Sequence, residues 1–554
     1  MADSNQFFKN VEVKTAPRSG FNKSHKNVGT FTVGTITPIL WDTLIPNSDA
    51  TVKIDLTAQL PPLASDTYMR ASVKLEAFAV PLRLLYGGFE KYFTGDKVYN
   101  AAGDPADVKL PRLNIASSNN LLNTVGPGTL MDYLGGHYNK DADTNYVVRN
   151  PYVNVFPFVA YHKIYDDWYR NSLVQKPLFK QIADADPEMY ATKLQDISNL
   201  PYYTAVNTLE FNLSSAFEDG VKLVELRQRN YGCDYFTSAT ASAQLGAAAN
   251  VTVAGTSTSG SFSIASLRAA NSLQQFRERN SIAGVRLQDF VHAVYGANLT
   301  SGVAQRSIYL GSASYTVYSN GIYQTTSDSS SAPGTGNPFT SVGAKYGNAY
   351  ASGSDFYVKV RADEPMILMV NATLVPETNY SSGRDVSLSY FTSADPRGDL
   401  ANPMLQNIGQ QPIYTDELIT MDIPGNKNKK VVFGYVDRYA DFKCKNNSVH
   451  GQMVAVGEEQ KLAGYGQLSS FVAQRTLDTY ASTNPSISTN FLQIPKTALD
   501  NVLATDVASY AWYDSFINYN VVQPLYKYSM PSLQDPAYEH GDNTVIRRGG
   551  SRID

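Results

Sequence analysis

Residues 49–80, DATVKIDLTAQLPPLASDTYMRASVKLEAFAV, contain two segments in which apolar and polar side chains alternate almost without fault. The apolar positions run from Val52 to Leu60 in the first segment and from Ala71 to Ala79 in the second. Successive side chains of a β-strand point to opposite faces, so this period of two predicts strands with one buried face. Pro61-Pro62 breaks the pattern, because proline lacks a ladder donor and fixes φ. The stretch predicts two strands of one antiparallel sheet to which the other strands add.

The composition predicts a large core and extensive contacts between copies of the chain. The 554 residues are 43% hydrophobic and 17% charged, below the roughly 25% charged residues of typical soluble domains. There are 37 tyrosines and 24 phenylalanines but three tryptophans. Tyrosine suits surfaces that become interfaces, because its large ring ends in one hydrogen-bonding group. The net charge of −4 argues against steering of the whole protein toward nucleic acid.

The cysteine content and the N-terminal sequence predict a soluble protein made in a reducing cytoplasm. Cys233 and Cys444 are too few for a disulfide framework or a zinc site, and we expect buried, reduced thiols. The opening residues MADSNQFFKN contain no apolar signal-peptide core. The apolar run at 366–375 is far shorter than the ~20 residues that a membrane-spanning helix needs.

Further strand patterns lie toward both ends of the chain. Residues 28–40 predict one strand, after which Trp41-Asp42 and residues 45–48 turn the chain into the alternating pair. The continuous apolar run at 365–376 predicts a strand covered on both faces, and 411–421, 430–442 and 514–530 also read as strands. A few strands, a long excursion and then more strands predict a sandwich completed by both ends of the chain.

The excursion, from about residue 84 to 361, contains helical and charge-poor stretches. Residues 151–179 include a helix-like block, and the clearest helix is at 264–280. A second helical stretch at 287–295 ends at Gly296 in the C-cap role. Residues 237–263 and 307–344 are rich in Ser, Thr and Gly. Regular tyrosines in the second of these stretches favour ordered surface loops over a flexible tether.

No catalytic signature occurs in the sequence. The G-x-S-x-G, H-E-x-x-H and G-x-x-x-x-G-K-[ST] motifs are missing, and the six histidines are dispersed with no i,i+4 pair. Asp166 and Asp167 precede Trp168, an arrangement that sugar-processing enzymes can use. Adjacent helical residues point apart, however, which favours solvated or capping roles for both carboxylates. We therefore predict that the protein is not an enzyme and has no catalytic, cofactor-binding or metal-binding residues.

Basic residues at the two ends of the chain are the candidates for contact with nucleic acid. Binding to phosphates requires lysine or arginine directed at the backbone, with aromatic rings to stack on unpaired bases. A solvated tail is the alternative interpretation at both ends. The candidate residues are Lys9, Lys14, Arg18, Arg547, Arg548 and Arg552.

Several blocks of the sequence occur together in the order typical of one known family. They are SGFNKSH (19–25), GTITPI (34–39), VPLRLL (80–85), FEKYFTG (89–95), FPFVAY (156–161), DWYRN (167–171), DYFTSA (234–239), LRAANSLQQFRER (267–279) and VVFGYVDRYAD (431–441). Together they resemble the major capsid protein of the Microviridae, small tailless phages with single-stranded DNA, particularly its gokushovirus-like branch. The DYFTSA block is the most specific, whereas IPNSD (45–49) lacks the glycine of the family's proline-glycine-aspartate turn.

The resemblance implies an all-β core, an eight-stranded antiparallel jelly roll with long insertion loops carrying a few helices. Copies would assemble into a T=1 icosahedral shell, through five-, three- and twofold contacts, around single-stranded DNA. Other implied partners are scaffolding, DNA-pilot and small DNA-binding phage proteins and a host surface receptor. The protein would reside in the virion capsid after assembly in the bacterial cytoplasm, with no cofactor.

The same resemblance divides the chain into regions. We expect an N-terminal arm at 1–27, a jelly-roll core at 28–85 and 365–530, long insertions at 86–364, and a C-terminal tail at 531–554. In gokushovirus-like members an insertion forms a protrusion at the threefold axis. The candidates for it here are the charge-poor stretches 237–263 and 307–354.

Other classes of protein share this architecture, since a fold does not fix a function. A secreted carbohydrate-binding β-sandwich would stack tyrosine and tryptophan on sugar rings, but it requires a secretion signal. A β-sandwich glycosidase would need an acid pair, for which Asp166, Asp167 and Glu188 are poor candidates. Formation of large particles by the purified protein would distinguish the capsid hypothesis from both.

Overall fold

The fold is described from a computed structural model of the chain. The structure describes residues 17–63, 70–86, 89–95, 97–99, 105–107, 110–115, 126–136, 152–178, 210–212, 216–217, 219–243, 306–324, 345–380, 383–389, 409–418, 431–450, 486–499 and 510–527, and short pieces at 268, 271–273, 275–276, 291–292, 295–297, 403, 406, 461–462, 466–467 and 503.

Nineteen strands are described, and they are numbered in chain order. The first ten are β1 (Ser19–Asn22), β2 (His25–Thr32), β3 (Thr37–Leu44), β4 (Ser48–Gln59), β5 (Ala71–Pro81), β6 (Lys97–Tyr99), β7 (Pro105–Asp107), β8 (Arg112–Asn114), β9 (Tyr152–Asn154) and β10 (Glu210–Asn212). The others are β11 (Ile308–Thr316), β12 (Tyr318–Gln324), β13 (Lys345–Ala362), β14 (Met366–Pro376), β15 (Gln410–Tyr414), β16 (Val432–Asp437), β17 (Lys461–Leu462), β18 (Gly466–Gln467) and β19 (Tyr510–Gln523).

Two antiparallel sheets form the centre of the molecule. Sheet 1 has the order β2–β19–β4–β13–β12, with β1 also paired to β19, and sheet 2 has the order β11–β5–β14–β3. Between strands that follow each other in the described chain, the polypeptide crosses from one sheet to the other at the β2–β3, β3–β4, β4–β5, β11–β12 and β13–β14 connections. These crossings are typical of a jelly roll. The predicted fold class, an all-β jelly-roll core with helical insertions, is confirmed.

The alternating segments at 49–80 form β4 and β5, but the prediction that they share a sheet is wrong. β4 pairs with β19 and β13, whereas β5 pairs with β14 and β11. Their apolar rows, which include Ile54 and Leu75, face each other across one fully buried core. An alternating pattern specifies which side chains are buried, but it does not specify the partner strand.

A covering layer lies on the outer face of sheet 2. Its main element is a helix, α3 (Phe156–Ile164), which follows the short helices α1 (Phe89–Thr94) and α2 (Leu130–Tyr133). The buried side chains of α3 form one cluster with Phe78 and Met369, which point outward from sheet 2. The helix-like block predicted at 151–179 is thus present, although residues 165–169 form a π turn.

One hydroxyl group anchors the covering layer to sheet 2. The buried Tyr161 hydroxyl donates a hydrogen bond of 2.7 Å to the carbonyl oxygen of Ile36. The Tyr161 hydroxyl oxygen in turn accepts a hydrogen bond of 2.8 Å from the backbone N–H of Arg227. Buried polar groups with both functions satisfied fix the position of the elements that carry them.

A third apolar cluster lies beside the roll. It includes the β15–β16 hairpin, the short helix α5 (Thr489–Leu492) and the DYFTSA block, whereas the neighbouring α4 (Ala440–Lys443) contributes one alanine. Cys233 and Cys444 are both free and exposed, so the expectation that they are buried is wrong. In the part of the chain that is described, no helix is long and apolar enough to cross a membrane.

The other strand predictions are only partly correct. The strand predicted at 28–40 is two strands, β2 and β3, because the chain bends at Gly34, which has a φ of +70°. Trp41-Asp42 lies within β3, and the turn is made by residues 45–47, with Asn47 at a φ of 60°. The excursion also contributes two strands to the central sheets, β11, which pairs with β5, and β13, which pairs with β4. These partners lie far apart in sequence, so the pairings could not be predicted from local patterns.

Predicted helices in the excursion are described only in pieces. Residues 268, 271–273 and 275–276 of the helix predicted at 264–280 are helical. Gly296 has a φ of +67°, and its N–H donates to the carbonyl oxygen of His292 at 2.9 Å, as the predicted C-cap requires.

Candidate nucleic-acid interface

Of the six predicted contact residues, the structure describes Arg18. Lys9, Lys14, Arg547, Arg548 and Arg552 lie outside the described residues. Arg18 directly precedes β1 and forms an ion pair with Asp49, at one end of β4. This position is at the edge of the outer face of sheet 1.

The outer face of sheet 1 is formed by alternate residues of β2, β19, β4 and β13, and we call it the open face. From Ala511 to Gln523 every second residue of β19 is buried in the core, and the residues between are exposed. Trp512 is 48% exposed and Phe516 is 50% exposed. Tyr357 of β13 is 63% exposed. Among the described residues no element covers these rings.

The strand register places polar and basic side chains between the rings. Lys26 of β2 is opposite Phe516, which is opposite Asp55 of β4. Two residues further along, Lys53 of β4 lies between Asn518 and Tyr357. Directly opposite residues of neighbouring strands have Cβ atoms roughly 4.5–5.5 Å apart. A lysine side chain therefore lies next to each of the two rings, Lys26 beside Phe516 and Lys53 beside Tyr357.

A second row of cross-strand neighbours on the open face runs from β19 through β4 and β13 to β12. Trp512 is opposite Gln59, Gln59 is opposite Tyr350, and Tyr350 is opposite Tyr318 of β12. Gln59 donates a hydrogen bond of 3.2 Å to the side chain of Asn348. This row therefore combines three exposed rings with amide side chains and no charge.

Basic and acidic side chains are equally numerous on the open face and at its edges. The basic residues are Arg18, Lys26, Lys53, Lys359 and Arg361, and the acidic residues are Asp49, Asp55, Asp355, Asp514 and Asp363, which pairs with Arg361 at 3.5 Å. Lys26 pairs with Asp514 at 2.8 Å, whereas Lys53 is 3.8 Å from Asp55. The hydrogen bond from Arg18 lowers the pKa of Asp49, and the charges of Arg361 and Lys359 lower it further. The positive and negative side chains of the face thus balance, and its exposed rings are the feature that distinguishes it.

This arrangement has the chemistry of a single-strand binding surface. Exposed rings can stack on unpaired bases of any identity, and lysine and arginine can contact the phosphates between them. The described residues contain no group of three or more His, Cys, Asp or Glu side chains that could hold a metal ion.

The carboxylates considered for glycoside chemistry have structural partners. Asp166 accepts a hydrogen bond of 2.6 Å from Arg170. Asp167 accepts one of 2.9 Å from Lys163, and its other oxygen accepts one of 2.8 Å from the N–H of Ser307. Both carboxylates are buried ion-paired groups that join the π turn to neighbouring segments, and Glu188 lies outside the described residues.

Two of the quoted sequence blocks lie against each other in the third cluster. Asp234 of DYFTSA accepts hydrogen bonds from the N–H groups of Phe236 and Thr237, and its other oxygen accepts one of 2.6 Å from the Tyr380 hydroxyl. A Cβ on Gly434, in the VVFGYVDRYAD block, would lie 3.0 Å from the Cβ of Ala239. Both blocks therefore have structural roles in packing this cluster.

Trp512, Phe516 and Tyr357 were missed as candidate functional residues, although a signal for them exists. The alternation of residues 510–523 separates Ala511, Tyr513 and Ser515 from Trp512, Asp514 and Phe516. Both rows contain aromatic residues, so the sequence does not show which row is outside. The polar residues Asp514, Asn518 and Asn520 indicate that the row with Trp512 is exposed.

Comparison with known proteins gives consistent matches along almost the whole chain. A family model described as "Capsid protein (F protein)" matches residues 9–533. Capsid protein VP1 of Chlamydia phage 1 is 24% identical over 623 residues, with 95% of this chain and 97% of the relative covered. Capsid protein VP1 of Spiroplasma virus 4 is 25% identical over 579 residues, with coverage of 94% and 96%. Capsid protein VP1 of Bdellovibrio phage phiMH2K is 23% identical over 560 residues, with coverage of 93% and 95%.

Proposed function

This chain belongs to the capsid protein (F protein) family, as a major capsid protein of a Microviridae phage, and from this premise we propose that its copies form a T=1 icosahedral shell around single-stranded DNA. The observation that carries the conclusion is the family match over residues 9–533. The role is structural and the location is the virion. We further propose that the protein has no enzymatic activity and assembles in the cytoplasm of the bacterial host.

Two features of the structure support a shell. A jelly roll is a fold from which capsid shells are built, and the connections between its strands here include long insertions with helices. A closed shell requires heterologous contacts around five- and threefold axes and isologous contacts at twofold axes. Most of the insertions are therefore interface in the assembled particle.

We assign the genome contact to cations and aromatic rings without sequence preference. Support comes from the open face and from Arg18 at its edge. Lys9, Lys14, Arg547, Arg548 and Arg552 remain proposed phosphate contacts of the two terminal segments. Scaffolding, DNA-pilot and small DNA-binding phage proteins and a host receptor remain proposed partners.

The threefold protrusion remains assigned to 237–263 or 307–354. Residues 237–243 pack beside β16, where Thr240 and Tyr435 exchange two backbone hydrogen bonds of 2.8 and 2.9 Å. In the second stretch β12 pairs with residues 345–350 of β13, beyond the point where β4 ends at Gln59. This hairpin extends beyond the end of β4 and supports the second stretch as the protrusion.

Negative-stain microscopy and mass photometry of the purified full-length chain test the proposed function. Uniform spherical particles, far heavier than an ordinary oligomer, are the expected result, since the shell is made of many copies. Co-expression with the neighbouring phage proteins provides the assembly conditions if the purified chain stays monomeric. Small oligomers under both conditions would contradict the proposal.

A further inference from the structure

We propose that the open face of sheet 1 is the surface on which the packaged single strand lies, with its bases stacked on Trp512, Phe516 and Tyr357. This inference rests on the proposed function, because it names the site at which the shell holds its DNA. Lys26, Lys53 and Lys359 contact phosphates between the stacked bases. The sheet itself, and not only the chain termini, then binds the genome.

The spacing of the rings fits separate bases along one strand. Trp512 and Phe516 are four residues apart on the same face of β19, which is about 13 Å at roughly 3.3 Å per residue. Tyr357 lies two strands from β19, or about 10 Å at the usual strand separation. Since none of these rings stacks on another described ring, each has a free face for a base.

The polar residues between the rings favour nucleic acid over a protein partner. The centre of a protein interface is depleted in lysine and has contiguous apolar contacts. On the open face Asp514 lies between Trp512 and Phe516, and Asp55, Lys53 and Asn518 lie between Phe516 and Tyr357. Amides and ammonium groups at these positions can donate hydrogen bonds to phosphate oxygens.

The charge balance predicts a specific signature for the binding. Five acidic side chains offset the charge of the five basic ones, so stacking contributes more than on a purely cationic surface. Duplex DNA has no unpaired bases to stack. We therefore expect the face to prefer single strands and to show a shallow salt dependence.

The experiment measures binding of a fluorescein-labelled oligo(dT) to full-length subunits before assembly, by anisotropy. Phe516→Ser and Tyr357→Ser are each expected to raise the Kd about five- to hundredfold, the loss of one stacked base. The double variant Lys53→Gln/Lys359→Gln is expected to reduce the slope of log K against log salt concentration by about 1.4, since each phosphate contact on single strands contributes about 0.7.

Tryptophan fluorescence provides a second readout. The chain has three tryptophans, and Trp41 and Trp168 donate hydrogen bonds to the carbonyl oxygens of Leu134 and Ser307, away from the open face. Oligo(dT) is expected to quench the emission of the wild-type protein. In Trp512→Phe the quenching should disappear while the Kd stays within about twofold, because phenylalanine also stacks.

Tyr92→Ser, which removes a tyrosine that is 46% exposed on α1, is the matched control and should leave the Kd unchanged. Equal Kd values for the open-face variants and the wild type would overturn this inference, while DNA-filled particles in the microscope would leave the proposed function standing. If the variants bound DNA normally but formed no shells, the face would be a contact between subunits, which also overturns the inference. Loss of particles in the wild type would instead contradict the proposed function.

Discussion

The two sheets of the roll share one core, but they differ in what lies on their outer faces. Every residue of β14, in the middle of sheet 2, is buried except the partly buried Val375. β19, in the middle of sheet 1, alternates between buried and exposed residues along its length. The outward-pointing side chains of β14 pack against the covering layer, and this burial stabilises the fold. No described element covers the second face of β19, which carries the proposed DNA contact.

The largest expected difference between the sheets concerns two carboxylates. Glu76 points outward from β5 and accepts hydrogen bonds from both terminal nitrogens of Arg229 and one of 2.5 Å from the Tyr169 hydroxyl. Glu76→Gln leaves the Arg229 charge buried without its partner, and we expect a loss of about 3–5 kcal/mol in the free energy of unfolding. Denaturant unfolding of the full-length subunit measures this loss.

Asp55→Asn provides the matched control for that substitution. Asp55 lies on the open face, where it is 48% exposed at the side chain and 3.8 Å from Lys53. Its replacement should change the free energy of unfolding by less than about 0.5 kcal/mol. Equal losses of unfolding free energy in the two variants would show that solvent screens both outer faces to a similar degree. This result would contradict the proposed difference between the sheets.

A slightly smaller effect is expected at an apolar position under the covering layer. Met369 points outward from β14 and is 0% exposed, packed in the cluster with Phe158 and Tyr161. Met369→Ala removes these contacts and leaves a cavity, with an expected loss of about 2–5 kcal/mol. Thermal and denaturant unfolding measure it. A loss below 1 kcal/mol would mean, by the same principle, that the layer covers sheet 2 without stabilising it.

The covering layer should also be sensitive to acid. His162 in α3 is fully buried; its Nδ1 accepts a hydrogen bond from Arg227, and its Nε2 contacts the carbonyl oxygen of Leu223. Burial lowers the pKa of His162 well below its usual value, and the Arg227 charge lowers it further. Below the ordinary histidine pKa of 6.5 the unfolded chain binds a proton that the folded chain excludes. Stability is therefore complete above pH 6.5 and falls as the pH is lowered.

One excluded proton corresponds to about 1.4 kcal/mol per pH unit, or about 2 kcal/mol between pH 6.5 and 5. Unfolding of the wild type at a series of pH values measures this slope. In His162→Gln the slope over this range should be smaller by about 1.4 kcal/mol per pH unit. Identical slopes in the wild type and His162→Gln would show that the covering layer is not the acid-sensitive part.

The smallest effect on stability is expected on the open face. Trp512→Ala removes a ring that is 48% exposed and packs on no covering layer. We expect a change of less than about 0.5 kcal/mol in the free energy of unfolding, together with weaker DNA binding. Denaturant unfolding beside the anisotropy assay separates the two quantities. A loss comparable to that of Met369→Ala would remove the distinction between a face used for stability and a face used for binding.

Much of the strand content could be predicted from the sequence, since the alternation at 49–80 and the apolar run at 365–376 gave β4, β5 and β14 nearly to the residue. The continuous pattern of β14 also predicted its two covered faces correctly. The excursion concealed β11 and β13, because tyrosine, serine and glycine weaken their apolar pattern. The contacts assigned to the terminal basic residues stay a prediction from composition, whereas the open face could not be predicted, since its rows come from four separate segments.

The sequence by itself determined which residues form strands, which rows of side chains enter the core and to which capsid family the motifs correspond. These are local properties, set by the two-residue period of a strand and by short motifs. Only the tertiary structure decided that β4 and β5 face each other, that α3 covers sheet 2 and that sheet 1 stays open. Strand pairing joins segments far apart in the chain, such as Lys53 with Asn518. Alternation determines the buried face of each strand but contains no information about its neighbour.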